Sequence, residues 1–169
     1  MIRNQGQKGF TLLELFVVLT LVAILAATGV PAFITYLQTN RLVHAAQNLY
    51  YTLQYARSEA IKRNATVYIS FQTGTNWCYG VNPSTTCNCN SANSCALGST
   101  QVPSTGQLSL SATGLTNNSI RFEPNHGAAG SSSTITLTNG QSNTISVKVG
   151  LLGSLLLCSS QISGYQACT

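Results

Sequence analysis

Residues 9–34 read GFTLLELFVVLTLVAILAATGVPAFI, and this stretch decides how the chain is organised. From Phe10 to Ile34 there are 25 residues and one charged side chain, that of Glu14. About 20 apolar residues in a helix cross the hydrocarbon core of a bilayer. A single span must be helical, because in lipid its backbone groups have no partners outside the segment. The sequence therefore predicts a membrane-spanning helix over residues 10–34.

The residues around this helix argue against a secretory signal or a plain anchor. Residues 1–9, MIRNQGQKG, carry Arg3 and Lys8 and no acid, which predicts that this end stays in the cytoplasm. A secretory leader would have a small-residue cleavage site after its apolar core, where this chain has Pro31 and large side chains. A plain anchor leaves Glu14 unexplained, since an ionised group in a span is costly and is usually kept for a partner.

The segment Gly9-Phe10-Thr11-Leu12-Leu13-Glu14 resembles the prepilin peptidase site of type IV pilins and type II secretion pseudopilins. The resemblance implies that residues 1–9 are a leader, that the peptidase cuts after Gly9, and that the new amine of Phe10 is methylated. It also implies that Glu14 pairs with the N-terminal amine of a neighbouring subunit in a filament. Removing one partner of a buried ion pair costs about 3–5 kcal/mol, so this pair would select one axial register.

An amphipathic pattern continues the helix over residues 35–64 and ends at Asn64. We expect one continuous helix from Phe10 to Arg63, kinked at Pro31 because proline removes an intrahelical hydrogen bond. A second helix that begins at Pro31 is the alternative. In this segment apolar residues, including Ile61, recur at spacings of three and four residues. Four of them form the stripe expected to pack on a sheet: Leu49, Leu53, Ala56 and Ala60.

Alternating apolar residues in the region 65–169 predict a β-rich domain. Asn139-Gly140 between two alternating runs is a strong hairpin signal. The predicted fold class is α+β, a long N-terminal helix packed on an antiparallel sheet or pair of sheets, as in pilins. The predicted strands are 66–71, 76–81, 107–111, 119–123, 134–138, 144–149 and 154–158.

Two further segments resemble the GspH/FimT-type minor pilins and pseudopilins, the FimU-like group. They are the Tyr55–Ala60 run YARSEA and the turn Phe122-Glu123-Pro124-Asn125 followed by Gly127, with one residue inserted. In this group the last strand typically opens with a glycine–arginine pair and carries a second arginine two residues further on. A DNA-binding role has been attributed to these arginines in some members. Here Ser154 and Leu156 stand at those positions. Because the guanidinium groups that grip phosphate are missing, nucleic-acid binding by this route is not expected.

Six cysteines follow the span: Cys78, Cys87, Cys89, Cys95, Cys158 and Cys168. An even number in an oxidising compartment predicts three disulfides. Cys158 and Cys168 are expected to pair and close the tail 158–168, whereas the pairing inside the loop 78–95 stays open. A metal site is the alternative, but Cys87-x-Cys89 lacks the usual two-residue zinc spacing and no histidine is near in sequence.

The chain contains few of the acidic and basic side chains that acid–base catalysis requires. Charged residues make up 7% of the chain, Asp is absent, and the acids are Glu14, Glu59 and Glu123. His44 and His126 are expected on the surface. Loss of Arg3 and Lys8 with the leader lowers the formal net charge from +5 to +3. We therefore predict no enzyme activity, no cofactor and no metal.

These features predict a minor type IV pilin that helps to initiate or cap pilus assembly. It would be a single-pass inner-membrane protein with a periplasmic C-terminal domain, incorporated into a pilus or pseudopilus. The expected partners are other minor and major pilin subunits, the prepilin peptidase and the inner-membrane assembly platform. One alternative is a minor pseudopilin of type II secretion. The other is a DNA receptor, which would require Arg63, Arg121 and Lys148 to form one patch.

Overall fold

The computed structural model describes residues 10–101 and 107–168. The leader and the predicted cleavage residue Gly9 lie outside the described residues. Within them the chain forms one helix, α1, and eight strands. Their bounds are α1 Leu12–Arg63, β1 Val67–Gln72, β2 Cys78–Pro83, β3 Ser99–Gln101, β4 Leu108–Thr113, β5 Ser119–Phe122, β6 Ser133–Asn139, β7 Thr144–Val149 and β8 Leu155–Cys158.

Both ends of α1 are capped by residues next to it. The Glu14 N–H donates a hydrogen bond to Thr11 Oγ1 at 3.2 Å, so Thr11 is the N-cap and the helix begins at Leu12. At the other end Asn64 adopts a positive φ of 48°. The Ala65 N–H then reaches the Ala60 carbonyl at 3.2 Å, which is the Schellman arrangement. The predicted stop at Asn64 is confirmed.

Helix α1 runs without interruption through Pro31. The alternative of a separate helix beginning at Pro31 is therefore wrong, and the kink there stays a prediction. The chain divides into two compact units, one ending at Leu37 and the other beginning at Gln38. In the first unit every described residue, 10–37, is exposed. By its length and composition, helix α1 is long and apolar enough to cross a membrane.

The second unit contains two four-stranded sheets whose pairings are all antiparallel, which confirms the predicted fold class. The first sheet has the order β3-β2-β1-β5 and the second the order β4-β6-β7-β8. Seven strands lie where the alternating pattern predicts them. Strand β3 was not predicted, because its three residues Ser99–Gln101 are polar and exposed and carry no alternation.

The core lies between the helical stripe and the sheets. All four predicted stripe residues are fully buried, together with Ala46 and Leu42, about one and two turns before Leu49. Ile61, although it follows the same spacing, is 49% exposed. Full burial of a leucine-sized side chain contributes about 1.5–3 kcal/mol, so this stripe holds α1 to the sheets. The strand residues in the same cluster include Ile69, Ile120, Phe122, Ile135, Leu137, Ile145 and Val147.

The β6–β7 hairpin lies where Asn139-Gly140 predicts it. Its connection is the loop 140–143, in which Ser142 has a φ of 63°. The Asn139 side-chain oxygen accepts hydrogen bonds from the Gln141 and Asn143 N–H groups at 3.0 and 2.9 Å. The asparagine thus organises the loop through its side chain as well as its backbone.

Candidate assembly surface

The exposed half of α1 contains one charge. Glu14 lies in the first helical turn, and no other residue from Phe10 to Leu37 is charged. Among the residues described, Glu14 makes no ion pair. A carboxylate at a helix N-terminus is favoured by the helix dipole, and it remains able to accept a cation from another molecule.

The rest of this surface is apolar. Its large side chains include Phe10, Leu12 and Leu25, which are 82%, 73% and 71% exposed. Apolar surface of this extent is stable only when lipid or other apolar helices cover it. The surface therefore requires an environment that the isolated subunit does not provide.

The threonine side chains within this half of the helix, those of Thr20, Thr28 and Thr35, donate hydrogen bonds to carbonyls of the same helix. Thr20 Oγ1 donates to the Val17 carbonyl at 2.8 Å, and Thr35 Oγ1 donates to the Pro31 carbonyl at 3.1 Å. Such internal bonds remove the cost of placing a hydroxyl in an apolar medium. Glu14 is the one charged side chain of this half and therefore the group that most needs a partner from another molecule.

In the second unit, Arg57 joins three segments that the sequence singled out. It belongs to the YARSEA run on α1, and its Nη2 donates to the His126 carbonyl at 3.2 Å. His126 and Gly127 both have positive φ, 61° and 64°. A Cβ on Gly127 would lie 2.8 Å from Arg57 Nε, and a Cβ on Gly153 would lie 3.0 Å from the same atom. The helix, the turn after β5 and the turn before β8 therefore meet at this side chain.

Two disulfides cross in the loop after β2. Cys78 is joined to Cys89 and Cys87 to Cys95, so the second bridge begins inside the span of the first and ends beyond it. Gly80 lies beneath them: a Cβ there would collide with Cys95 Sγ and lie 3.1 Å from Cys87 Sγ. This pairing was open from the sequence, and the need for a glycine on β2 was not predicted.

The third disulfide joins Cys158 to Cys168 and closes the tail. Within that loop the Tyr165 hydroxyl accepts a hydrogen bond from Gln47 Nε2 on α1 at 3.2 Å. The Ser159 N–H donates to the Gln166 carbonyl at 2.9 Å. The tail is thus fixed both to β8 and to the helix, a contact that the sequence pattern did not indicate.

The basic residues required for a DNA-binding patch lie on three elements. Arg63, at the end of α1, is paired with Glu59, and Lys62 Nζ lies 3.3 Å from the same carboxylate. Arg121 on β5 in the first sheet has its Nε 3.1 Å from Glu123 Oε1. Lys148 is on β7 in the second sheet. Two of the three cations are therefore already partnered by glutamates.

Glu59 is a buried acid, 5% exposed, in the last turns of α1. The hydrogen bond from Arg63 lowers the pKa of this carboxyl below its usual range, and Lys62 acts in the same direction against the cost of burial. The same bond raises the pKa of Arg63. Glu59 is thus held as a carboxylate that anchors the basic end of the helix.

Neither histidine lies in a metal site among the described residues, where no group of three metal-ligating side chains is found. His44 lies beside a cavity of about 490 Å³ bordered by Arg41, Trp77 and Leu108. His126 lies in the turn contacted by Arg57.

Comparison with known proteins gives two family matches. The family described as type II transport protein GspH matches residues 45–153, and the prokaryotic N-terminal methylation motif matches residues 4–30. No curated protein matches the chain.

Solved structures share the fold. The type IV minor pilin FimU of Pseudomonas aeruginosa is 20% identical with a TM-score of 0.55, over 79% of this chain and 99% of that one. The minor pseudopilin EpsH of the Vibrio cholerae type 2 secretion system is 16% identical with a TM-score of 0.54, over 70% of this chain and 96% of that one. At these identities the likeness shows the fold.

Proposed function

Since the chain belongs to the family of type II transport protein GspH and begins with a prokaryotic N-terminal methylation motif, we propose that it is a minor type IV pilin. In this role it helps to initiate or cap the assembly of a pilus. One observation carries the proposal: α1 buries a stripe from Leu42 to Ala60, whereas every residue from Phe10 to Leu37 is exposed. The role is structural and includes no catalytic step.

Processing would prepare the helix for assembly. The prepilin peptidase would cut after Gly9 and methylate the amine of Phe10, which then becomes the first residue. Glu14 would lie four residues from that amine, on the first turn of α1. The carboxylate would pair with the N-terminal amine of a neighbouring subunit and so fix the axial register of the two helices.

The apolar N-terminal helix anchors the protein in a membrane. We place residues 38–168 in the periplasm, because Arg3 and Lys8 favour the cytoplasm for the other end. The three disulfides support this orientation, since such bonds persist in oxidising compartments. Other minor and major pilins would then cover the apolar surface once the subunit leaves the lipid, with Pro31 loosening the helix there.

A minor pseudopilin of type II secretion is the second candidate. The family description names type II transport, and the fold is shared with a minor pseudopilin. Deletion of the gene separates the two roles. Loss of surface pili with normal protein secretion supports the pilin, whereas the reverse result supports the pseudopilin.

Both candidate roles require that the prepilin peptidase processes the chain. The test is the intact mass and N-terminal sequence of the full chain, expressed in membranes with and without this peptidase. We expect a chain that starts at methylated Phe10 only when the peptidase is present. A Gly9→Val variant serves as the matched control and should stay uncut. A wild-type chain that still starts at Met1 with an active peptidase present would overturn the assembly role.

A further inference from the structure

A polar cleft of about 280 Å³ lies beside β5, at one edge of the first sheet. We propose that this cleft binds a single acidic sugar residue, with the sugar carboxylate on Arg121 and the sugar hydroxyls on the surrounding side chains. This binding activity goes beyond the assembly role. The cleft is lined by Tyr68, Thr86, Thr116, Asn117, Ser119, Arg121, Gly130 and Ser131.

The guanidinium of Arg121 is positioned from two sides. Its Nε lies 3.1 Å from Glu123 Oε1, and Glu123 Oε2 in turn accepts a hydrogen bond from Thr66 Oγ1 at 3.3 Å. On the other side Gly130 leaves room for the arginine, because a Cβ there would lie 2.7 Å from Arg121 Cγ and would collide with Nε. Gly130 N–H also donates to the Arg121 carbonyl at 3.1 Å.

This arrangement leaves the far edge of the guanidinium for a ligand. Glu123 contacts Nε, and the two Nη groups of Arg121 have no hydrogen-bond partner among the described residues. Paired Nη groups bind a carboxylate through two parallel hydrogen bonds, a geometry that a lysine does not provide.

The other polar side chains that line the cleft can form hydrogen bonds with the hydroxyl groups of a sugar. The side chains of Tyr68, Thr86, Thr116 and Asn117 make no hydrogen bond within the part of the chain that the structure describes. Ser119 Oγ and Ser131 Oγ donate to backbone carbonyls at 2.8 and 3.0 Å, so their lone pairs remain available as acceptors. A ligand with several hydroxyl groups uses both kinds of partner.

Size and charge favour a sugar over other anions. A volume of about 280 Å³ is near the lower limit of small-molecule pockets, which begin at roughly 300 Å³. Arg121 is the one cation in the lining, whereas nucleic acids require several phosphate contacts for tight binding. The lining also lacks the aliphatic side chains that an apolar peptide residue would need.

The test measures binding of D-glucuronate, D-glucose, inorganic phosphate and a duplex DNA oligonucleotide to the detergent-solubilised full chain by isothermal titration calorimetry. We expect glucuronate to bind at least tenfold more tightly than glucose or phosphate. Arg121→Gln should weaken glucuronate binding about tenfold or more, because a charge-assisted pair is lost. Gly130→Ala should weaken it as well, since it keeps the charge but displaces the guanidinium. Arg41→Gln removes an exposed arginine from another cavity and should have no effect.

Each contrary result overturns the proposal. Equal affinity for glucuronate and phosphate would indicate a general anion site. Equal affinity for glucuronate and glucose, or full binding by Arg121→Gln, would show that the guanidinium does not hold the carboxylate. DNA binding that depends on Arg121 and displaces glucuronate would assign the cleft to nucleic acid. The fluorescence of the buried Trp77 checks that each variant is folded.

Discussion

The side chain of Arg57 fills the space that a Cβ on Gly127 would occupy. Arg57 Cγ lies 2.6 Å from that position, and Arg57 Nη2 donates to the carbonyl of the preceding residue, His126, at 3.2 Å. Gly153 packs against the same turn, because a Cβ there would collide with the Gly127 carbonyl oxygen. Two glycines far apart in sequence thus allow two turns to close on one helical arginine.

Gly127→Ala should destabilise the second unit by about 1–3 kcal/mol, because φ is +64° and the new Cβ meets Arg57. Chemical unfolding of the full chain in detergent, followed by the fluorescence of its one tryptophan, Trp77, measures the loss. Gly140→Ala is the matched control, since it meets no atom within 4 Å and its φ is not positive. Equal unfolding free energies for the two variants would contradict the account of this contact.

Gly80→Ala should prevent the crossed disulfides from forming together. The added Cβ would collide with Cys95 Sγ and press on Cys87 Sγ at 3.1 Å. We expect two free thiols per chain in a thiol-labelling experiment read by mass spectrometry, with Cys158–Cys168 intact. Gly140→Ala should give no free thiol, as should the wild type. An unlabelled Gly80→Ala chain with both bridges mapped would show that the loop accommodates a methyl group.

Replacing Cys158 and Cys168 together by serine should lower the unfolding free energy by about 3 kcal/mol, as the chain-entropy model predicts for a sequence separation of 10. Tyr165→Phe is the comparison, because it removes only the hydrogen bond to Gln47 and should cost about 0.5–1.5 kcal/mol. A loss no larger in the double serine variant than in Tyr165→Phe would mean that packing of the tail, not its crosslink, supplies its stability.

The Glu59–Arg63 pair predicts a pH-dependent stability. Because the folded state lowers the pKa of Glu59 from its ordinary value of 4.5, the pair stabilises the folded protein above pH 4.5. This stabilisation is lost as the pH falls through the lowered pKa, where the folded carboxyl becomes protonated. The melting temperature of the wild type should therefore exceed that of Glu59→Gln at pH 7, and the gap should narrow below pH 4.5. A gap that is constant from pH 7 to pH 3 would rule out a contribution from the carboxylate charge.

Glu14→Gln should abolish assembly without harming the fold. If the carboxylate pairs with a neighbour's N-terminal amine, its loss leaves a buried charge unpaired at a cost of about 3–5 kcal/mol. Incorporation into sheared filaments, measured by immunoblot, should then fall about a hundredfold or more, while peptidase cleavage and Trp77 unfolding remain as in the wild type. Glu59→Gln is a charge-matched control that should still assemble. Normal incorporation of Glu14→Gln would disprove the pairing.

Local patterns predicted much of the fold because their physical causes are local. The stripe Leu49 to Ala60 follows from helical spacing, and the stop at Asn64 follows from the ease with which asparagine adopts positive φ. Alternation likewise located β6 and β7. Strand β3 was not predicted, because its three exposed polar residues form a strand only by pairing with β2.

Some residues of the candidate sites could likewise be recognised from the sequence, whereas others could be recognised only from the structure. Phe10 and Glu14 stand out in the sequence, because a lone acid in an apolar run is a local anomaly. The sequence named Arg121 only as one of three basic residues that a DNA-binding patch would require, and it gave no sign of the contacts with Glu123 and Gly130. Only the pairing of β5 with β1 places Arg121 beside Tyr68.

The sequence by itself therefore determined the long apolar helix, its single acid, the antiparallel α+β class and the number of cysteines, because each depends on the order of residues along the chain. The tertiary structure decided which cysteines pair, why Gly80, Gly127 and Gly130 must be small, and where the cleft beside β5 lies. These features depend on atoms that are distant in sequence, and their contacts exist only after the two sheets and the helix have packed around one core.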